Sequence, residues 1–326
     1  MSNILEIKDL YVQYRTDESV VHALNGFSLN LDKGETLGLV GETGAGKTTM
    51  ALSILKLLPE GVGRITAGSI QYNDIDIIKA SKRDMRRIRG SEISMIFQDP
   101  MTSLNPILSV GEQVREVLRL HKSDMTKEQQ NRRVDEVLTL VGIQPERKEQ
   151  YPHQFSGGMR QRIVIAMALI AEPALLLADE PTTALDVTIQ AQILALMKDL
   201  KEKTDSAMIF ITHDLGVVAE FCDNVAVVYG GEVIERGTVE QVFARTINHP
   251  YTSNLFECIP DLTSTSKRLP HFEGTMLDPT NLPEGCKYAP RCNVSLDLCV
   301  KQNPEMHIAE DGHNIKCHLF CTERNG

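Results

Sequence analysis

The sequence predicts an α/β fold. It has a largely parallel core sheet, an antiparallel β subdomain ahead of it, an α-helical insertion within it and a small Cys-rich C-terminal extension. Three observations carry the prediction. Short, nearly all-apolar runs at 36–40, 93–97, 174–178, 207–211 and 225–229 have the composition of strands buried on both faces. Helical stretches separate several of these runs, as in layered α/β proteins. Five of the seven cysteines fall between Cys286 and Cys321, which sets the tail apart from the rest.

Taken in order, residues 4–7, 10–14 and 27–31 alternate as half-buried antiparallel strands do. Gly34-Glu35 punctuates, the 36–40 strand follows, and a glycine-rich turn leads into a helix expected to reach Leu58. Between about 99 and 170 the character becomes helical. Val134, Val137, Leu138 and Val141 recur at i, i+3, i+4, i+7, an amphipathic helix that Gly142 can cap. Periodicity fades after about 245, where Pro250, Pro260, Pro270, Pro279 and Pro283 break the chain and 261–285 reads as a connector. The expected division is 1–260 for the main domain and 261–326 for the extension.

Composition narrows the function. The 326 residues are 42% hydrophobic, 24% charged and 5% aromatic, which is ordinary globular usage. The 34 Lys and Arg against 44 Asp and Glu give −10, so overall charge does not favour nucleic acid. The basic run Lys82-Arg83-Asp84-Met85-Arg86-Arg87-Ile88-Arg89 reads as a solvated face rather than a nucleic-acid patch. Met1–Glu6 carries no basic or apolar leader. The longest apolar run, 163–171, is nine residues, where a membrane span needs about 18. A soluble cytosolic chain is therefore expected, and clustered cysteines in a reducing compartment suggest a metal more than disulfides.

Gly41-Glu42-Thr43-Gly44-Ala45-Gly46-Lys47-Thr48 matches the G-x-x-x-x-G-K-[ST] pattern, with an apolar strand before it and a helix after it. Glycines let backbone N–H groups form an anion nest, and the helix N-terminus adds positive potential. Lys47 is expected on the β- and γ-phosphates and Thr48 on Mg²⁺, with Thr49 completing the nucleotide-contacting stretch. The core is thus predicted to be a P-loop NTPase (RecA-like) one. The 174–178 strand ends in Asp179-Glu180, where P-loop enzymes place a Mg²⁺-orienting aspartate, and Glu180 is the candidate general base.

Phe155-Ser156-Gly157-Gly158-Met159-Arg160-Gln161-Arg162 resembles the signature loop of the ATP-binding cassette (ABC) ATPases, usually Leu-Ser-Gly-Gly-Gln. The other elements follow in the family's order over residues 4 to about 255. Gln98 resembles the Q-loop glutamine that senses Mg²⁺ and the attacking water. Ala184-Leu185-Asp186 resembles the D-loop and His213 the switch histidine. Tyr14 sits where an aromatic stacks on adenine, although packing on a sheet also suits it. The resemblance implies two half-sites closing head to tail on two ATP molecules, with Ser156, Gly157, Gly158, Met159 and Asp186 acting in trans. Phe155 and Met159 depart from the usual Leu and Gln, which touches contacts at the ribose edge rather than the Ser-Gly-Gly core.

The segments Phe97-Gln98-Asp99-Pro100-Met101-Thr102-Ser103-Leu104-Asn105-Pro106, Tyr151 through Met159 and His249-Pro250-Tyr251-Thr252 are similar to those of dipeptide, oligopeptide and nickel importer ATPases. Cys286, Cys292, Cys299 and Cys317 are spaced C-x5-C-x6-C-x17-C, in a setting that resembles that group's C-terminal extension. In the group these four hold a [4Fe–4S] cluster. Four-thiolate zinc is the alternative, although no C-x2-C knuckle is present. Cys321 is a fifth candidate, and Cys222 and Cys258 are expected unligated, Cys222 as a small buried residue. The resemblance implies an ATPase that drives import of peptides, or of nickel chelates or glutathione, from the cytoplasmic face of the cell membrane. Its partners would be a second ATPase subunit, related but different so that the pair is a heterodimer, two integral membrane permeases and, indirectly, an extracytoplasmic substrate-binding protein. A cassette protein acting on nucleic acid or ribosomes is the rival reading.

Overall fold

The computed structural model describes residues 3–182, 186–204, 206–258 and 274–320. The chain opens with two long strands, β1 (Asn3–Arg15) and β2 (Val20–Asp32). The separate strands expected at 4–7 and 10–14 are one. Asp9 turns through a left-handed φ of 45° inside β1. Its backbone there lies against Gly68, where a Cβ would come within 2.3 Å of the Asp9 oxygen. β3 (Thr36–Val40) is buried at every position, as its sequence requires.

The helix after β3, α1 (Lys47–Ile54), stops short of Leu58, with Lys56 in a left-handed turn. β4 (Gly63–Tyr72), β5 (Ile75–Asp76) and α2 (Lys82–Ile88) follow. Ser81 and Asp84 close a capping box on α2. Its basic side chains 82, 83, 86 and 87 are exposed while Met85 and Ile88 are buried, so this run is a solvated helix face.

After β6 (Ile93–Ile96) come α3 (Pro100–Ser103), α4 (Val110–His121), α5 (Lys127–Leu140) and α6 (Gly157–Leu169). This is the helical insertion. Ser109 caps α4, and Thr126 with Gln129 boxes α5. Val110, Val114 and Leu118 of α4 and Val134, Val137 and Leu138 of α5 are buried, so each helix hides one apolar stripe. β7 (Leu175–Asp179), α7 (Val187–Thr204) and β8 (Ala207–Ile211) complete the middle of the chain. The last stretch holds α8 (Leu215–Phe221), β9 (Asn224–Tyr229), β10 (Glu232–Thr238), α9 (Val239–Phe243), α10 (Pro250–Glu257), α11 (Asp297–Lys301), β11 (His307–Ile308) and β12 (Asn314–Ile315).

Two compact units result. The first is built mostly from 72–211. Its strands β6, β7 and β8 are parallel, with Ile93 opposite Leu175 and Leu175 opposite Ala207. The second combines 5–30, 37–71 and the described residues beyond 212. There β3 runs parallel to β9, β9 pairs antiparallel with β10, and β10 with β12. β11 then closes the ladder on β12. The second unit also contains most of the antiparallel sheet ordered β2-β1-β4.

One expectation about the tail is corrected. Pro250 does not break the chain. It opens α10 at the first helical position, where its missing N–H costs nothing. The extension also shares the second unit's sheet through Glu235 opposite Ile315 and Arg236 opposite Asn314. Tyr288 joins Val40, Tyr229, Ile234 and Tyr251 in one buried cluster, against which Cys222, Cys286 and Cys292 pack partly buried. Cys222 is therefore at the margin of the core rather than inside it.

Candidate active site

In the second unit the glycine-rich loop leaves β3 and enters α1. Gly41, Gly44 and Gly46 have φ of 155°, 82° and 103°. A Cβ at Gly41 would lie 2.2 Å from the Val228 oxygen and one at Gly46 2.6 Å from the Ala23 oxygen. These two positions need glycine for space as well as for conformation. Gly46 is the N-cap of α1 and has no side chain to satisfy the first-turn N–H groups. An anion placed there would accept those hydrogen bonds.

Lys47 is buried, and its Nζ donates to the carbonyls of Gly41 at 2.7 Å and Glu42 at 3.0 Å. The lysine thus arches over the loop that is to receive phosphate. Thr43, Gly44 and Thr48 are exposed along the same loop, and Ala45 is buried. Thr49 Oγ1 lies 3.1 Å from the Tyr14 hydroxyl, which ties the candidate adenine-stacking ring to α1.

Glu42 is more firmly held than its place in the motif suggests. Its N–H donates to the Tyr251 hydroxyl at 2.9 Å. Its carboxylate accepts from both terminal nitrogens of Arg291, at 2.9 and 3.0 Å. Those hydrogen bonds raise the Arg291 pKa above the usual arginine value, against the effect of burial. Arg291 also reaches the Tyr229 hydroxyl at 3.4 Å. Burial pushes the Tyr251 and Tyr229 hydroxyls upward, and that of Tyr288 up to about 12. Tyr251 falls in the importer-like segment 249–252, but no local pattern in the sequence links it or Arg291 to Glu42. The pairing joins residues 249 positions apart.

In the first unit β7 delivers Asp179, which is buried, and Glu180. Glu180 takes a left-handed φ of 47°, an uncommon conformation for a residue with a Cβ. Its N–H donates to the Ile211 carbonyl at 2.9 Å, so β8 fixes the turn. Gln98 Nε2 donates to Glu180 Oε2 at 3.0 Å, bringing two of the expected catalytic side chains together.

Ser156 caps α6, its hydroxyl accepting from the Met159 N–H at 3.4 Å. The unusual Phe155 and Met159 share one neighbour. The Arg147 guanidinium stacks 4.4 Å above the Phe155 ring, and its Nη1 lies 3.5 Å from the Met159 sulfur. Asp186 accepts from the Ile189 N–H at 2.9 Å at the start of α7. Ala184 and Leu185 lie outside the described residues. His213 is exposed just after β8, and the neighbouring Asp214 caps α8.

Cys286, Cys292, Cys299 and Cys317 line one cavity of the second unit, beside His249, Tyr288 and His318. Burial raises the thiol pKa of Cys286 and Cys292, and lifts that of Cys317 to about 11. Among the described residues no group of three or more His, Cys, Asp or Glu side chains is arranged to hold a metal ion. The lining of that cavity offers four sulfurs and two imidazoles and no carboxylate. Cys321 lies outside the described residues. No described helix is long and apolar enough to cross a membrane.

Comparison with known proteins agrees with this geometry. A family profile described as ABC transporter matches residues 24–183, and one described as oligopeptide/dipeptide transporter, C-terminal region, matches 234–299. The chain is 49% identical to the oligopeptide transport ATP-binding protein OppD of Bacillus subtilis over 98% of its own length and 90% of the relative's. It is equally 49% identical to the dipeptide transport ATP-binding protein DppD of Bacillus subtilis, over 98% and 95%. Among solved structures, the dimeric post-hydrolysis state of the ATP-binding cassette MJ0796 bound to ADP and Pi matches with a TM-score of 0.65. It is 29% identical and covers 72% of this chain and 98% of that one.

Proposed function

The chain belongs to the ATP-binding proteins of oligopeptide and dipeptide ABC transporters, and from that premise we propose that it hydrolyses ATP to drive peptide import through separate membrane permeases. The Gln98–Glu180 contact carries the catalytic part of the reading. Glu180 accepts a proton from the water whose oxygen attacks the γ-phosphorus, and the bond to the ADP oxygen breaks in line. Gln98 holds the Glu180 carboxylate and the water in register, and His213 donates to a γ-phosphate oxygen. Gly41, Glu42, Thr43, Gly44, Ala45, Gly46, Lys47, Thr48 and Thr49 receive the phosphates, and Tyr14 stacks on the base. Thr48, Gln98 and Asp179 would hold Mg²⁺, which when bound neutralises charge on the phosphates.

The relation to a dimeric cassette supports a second ATPase subunit, identical or related, that supplies Ser156, Gly157, Gly158, Met159 and Asp186 in trans. Residues 1–260 act as the cassette and 261–326 as its extension. The subunit sits peripherally on the cytoplasmic side of its permeases, with a substrate-binding protein on the far side. Peptide is favoured over nickel chelates or glutathione by the two relatives' names. Cys286, Cys292, Cys299 and Cys317 are proposed to hold a [4Fe–4S] cluster, with zinc as the alternative, on the support of four thiols at one cavity. Iron and sulfide analysis of anaerobically purified protein decides between them, since stoichiometric zinc without iron would exclude the cluster.

The decisive experiment is Glu180→Gln. ATP binding persists and turnover falls by about 10²–10⁴-fold. Hydrolysis at the parental rate would remove the general base from Glu180. Co-purification with an integral membrane permease tests the transport assignment.

A further inference from the structure

The C-terminal segment does something in the nucleotide site that the P-loop motif does not describe. A phosphate-binding loop gathers positive potential, yet this one carries a carboxylate, Glu42, at its second position. A bare carboxylate beside bound phosphates would oppose them by like-charge repulsion. Here the charge is met by Arg291 in a two-pronged contact, Nη1 to Oε2 at 2.9 Å and Nη2 to Oε1 at 3.0 Å. The Arg291 side chain is 4% exposed and that of Glu42 21%, so solvent screens the pair little.

The other polar groups of Glu42 are also engaged. Its N–H is turned to the Tyr251 hydroxyl and its carbonyl receives Lys47 Nζ. With the side chain clamped by Arg291, the residue has one orientation. Arg291 itself is fixed by the tail's own turns. Its N–H donates to the Tyr288 carbonyl, the following Cys292 N–H to Ala289, and the Cys286 N–H to the Cys299 carbonyl.

We propose that Arg291 is a positioning residue for ATP binding: it neutralises and orients Glu42 of the P-loop, so that the C-terminal segment sets the chain's nucleotide affinity. The proposal rests on the P-loop assignment above and goes beyond it, because the cation comes from outside the cassette motifs. Arg291 need not touch the nucleotide. It acts through the charge and geometry of Glu42. ATP, with one more phosphate than ADP, is the more sensitive ligand.

The test uses the full chain, with MgATP and MgADP titrated separately and thermal unfolding recorded for every variant. Arg291→Gln is expected to weaken ATP about ten-fold, and ADP less. It should raise KM for ATP while leaving kcat at saturation near the parental value. Arg291→Lys keeps the charge but loses the fork and should recover most of the loss. The discriminating variant is Arg291→Gln combined with Glu42→Gln. Removing the uncompensated carboxylate should return ATP affinity to within about two- to three-fold of the parent.

A purely structural Arg291 would show no such rescue, because the second substitution adds no packing. Unchanged ATP affinity in Arg291→Gln, or a loss that Glu42→Gln leaves in place, overturns the proposal. If Arg291→Gln does not fold, Arg291→Lys and Glu42→Gln measured singly decide. An ATP affinity that Arg291→Lys lowers ten-fold, with Glu42→Gln also lowering it, would overturn charge neutralisation. Lys47→Ala separates the two levels of the argument. Parental ATP affinity in that variant would refute the P-loop assignment itself, whereas loss there with no effect at Arg291 refutes only the present inference.

Discussion

The P-loop and the signature loop are both glycine-rich turns that open a helix, and they are held in opposite ways. Gly46 opens α1 with a left-handed φ and no side-chain cap, while the loop before it is wired through Lys47, Tyr251 and Arg291. Ser156 opens α6 with an ordinary extended φ and caps the helix with its own hydroxyl. Gly157 has nothing within 4 Å of where its Cβ would be. The first loop is built around a shape that only an anion completes. The second is a self-satisfied helix start with open space on its outer side. The difference suits their proposed roles, since one keeps its own nucleotide and the other must meet a nucleotide held by a second subunit.

The largest effect expected from this contrast is at Gly46. In Gly46→Ala a Cβ at φ 103° meets the Ala23 backbone oxygen at 2.6 Å and Leu24 Cδ2 at 2.7 Å. Such a clash, added to the cost of the conformation, destabilises by about 3 kcal/mol or more. Urea unfolding and ATP titration should both register it. A soluble Gly46→Ala protein with parental stability would mean that the loop is loosely held, and the contrast would fail.

Acid should weaken the P-loop unit selectively. His249 is buried and desolvation lowers its pKa from 6.5 to about 3. Its Nδ1 accepts the Tyr251 N–H, and Tyr251 in turn holds Glu42. Because the folded pKa is depressed, the unfolded chain takes up the proton first. The stability contribution is full above about 6.5 and is lost as pH falls towards 3. Between pH 7 and 5 the loss is about 2 kcal/mol. His249→Asn, which keeps a side-chain acceptor at the α10 N-cap, should flatten that slope in urea titrations at the two pH values. An unchanged slope would place the acid sensitivity elsewhere.

How far the sequence anticipates these loops follows the range of the contacts involved. β3, β7 and β8 are readable because strands buried on both faces are apolar at nearly every position, Thr36 and Asp179 being the exceptions. The P-loop and signature loop are readable because their chemistry is contained in about eight consecutive residues. The tail's contribution is not. β11 and β12 are two residues each, too short for periodicity, and exist because β10 offers an edge. Arg291 is one arginine among many until the fold brings it to Glu42. The left-handed φ of Glu180 is likewise invisible locally, since nothing about Asp-Glu-Pro demands it.

A smaller effect is expected at Gly158, the one tight point of the signature loop. A Cβ there would come within 2.5 Å of Ile189 Cγ2, a side-chain atom at the start of α7. Overpacking of this kind costs about 1–3 kcal/mol, and Gly158→Ala with Ile189→Ala should recover part of it. Recovery in thermal unfolding without recovery of turnover would separate the packing of α6 from its work on nucleotide.

The smallest effects fall at Ser156 and Gly157, where the contrast with the P-loop is sharpest. Ser156→Ala removes a cap whose bond to the Met159 N–H is long, 3.4 Å. The expected stability loss is therefore at the low end of the capping range, about 0.5 kcal/mol. Gly157→Ala adds a methyl to open space and a better helix former to the first turn of α6, so stability should be unchanged or slightly raised. If that open space receives a nucleotide from a second subunit, Gly157→Ala must still depress ATP turnover, with ATP affinity of the isolated chain untouched. A variant of unchanged stability and unchanged turnover would show that the outer side of this helix start is not a nucleotide-facing surface. The two loops would then differ only in how they are built and not in what they meet.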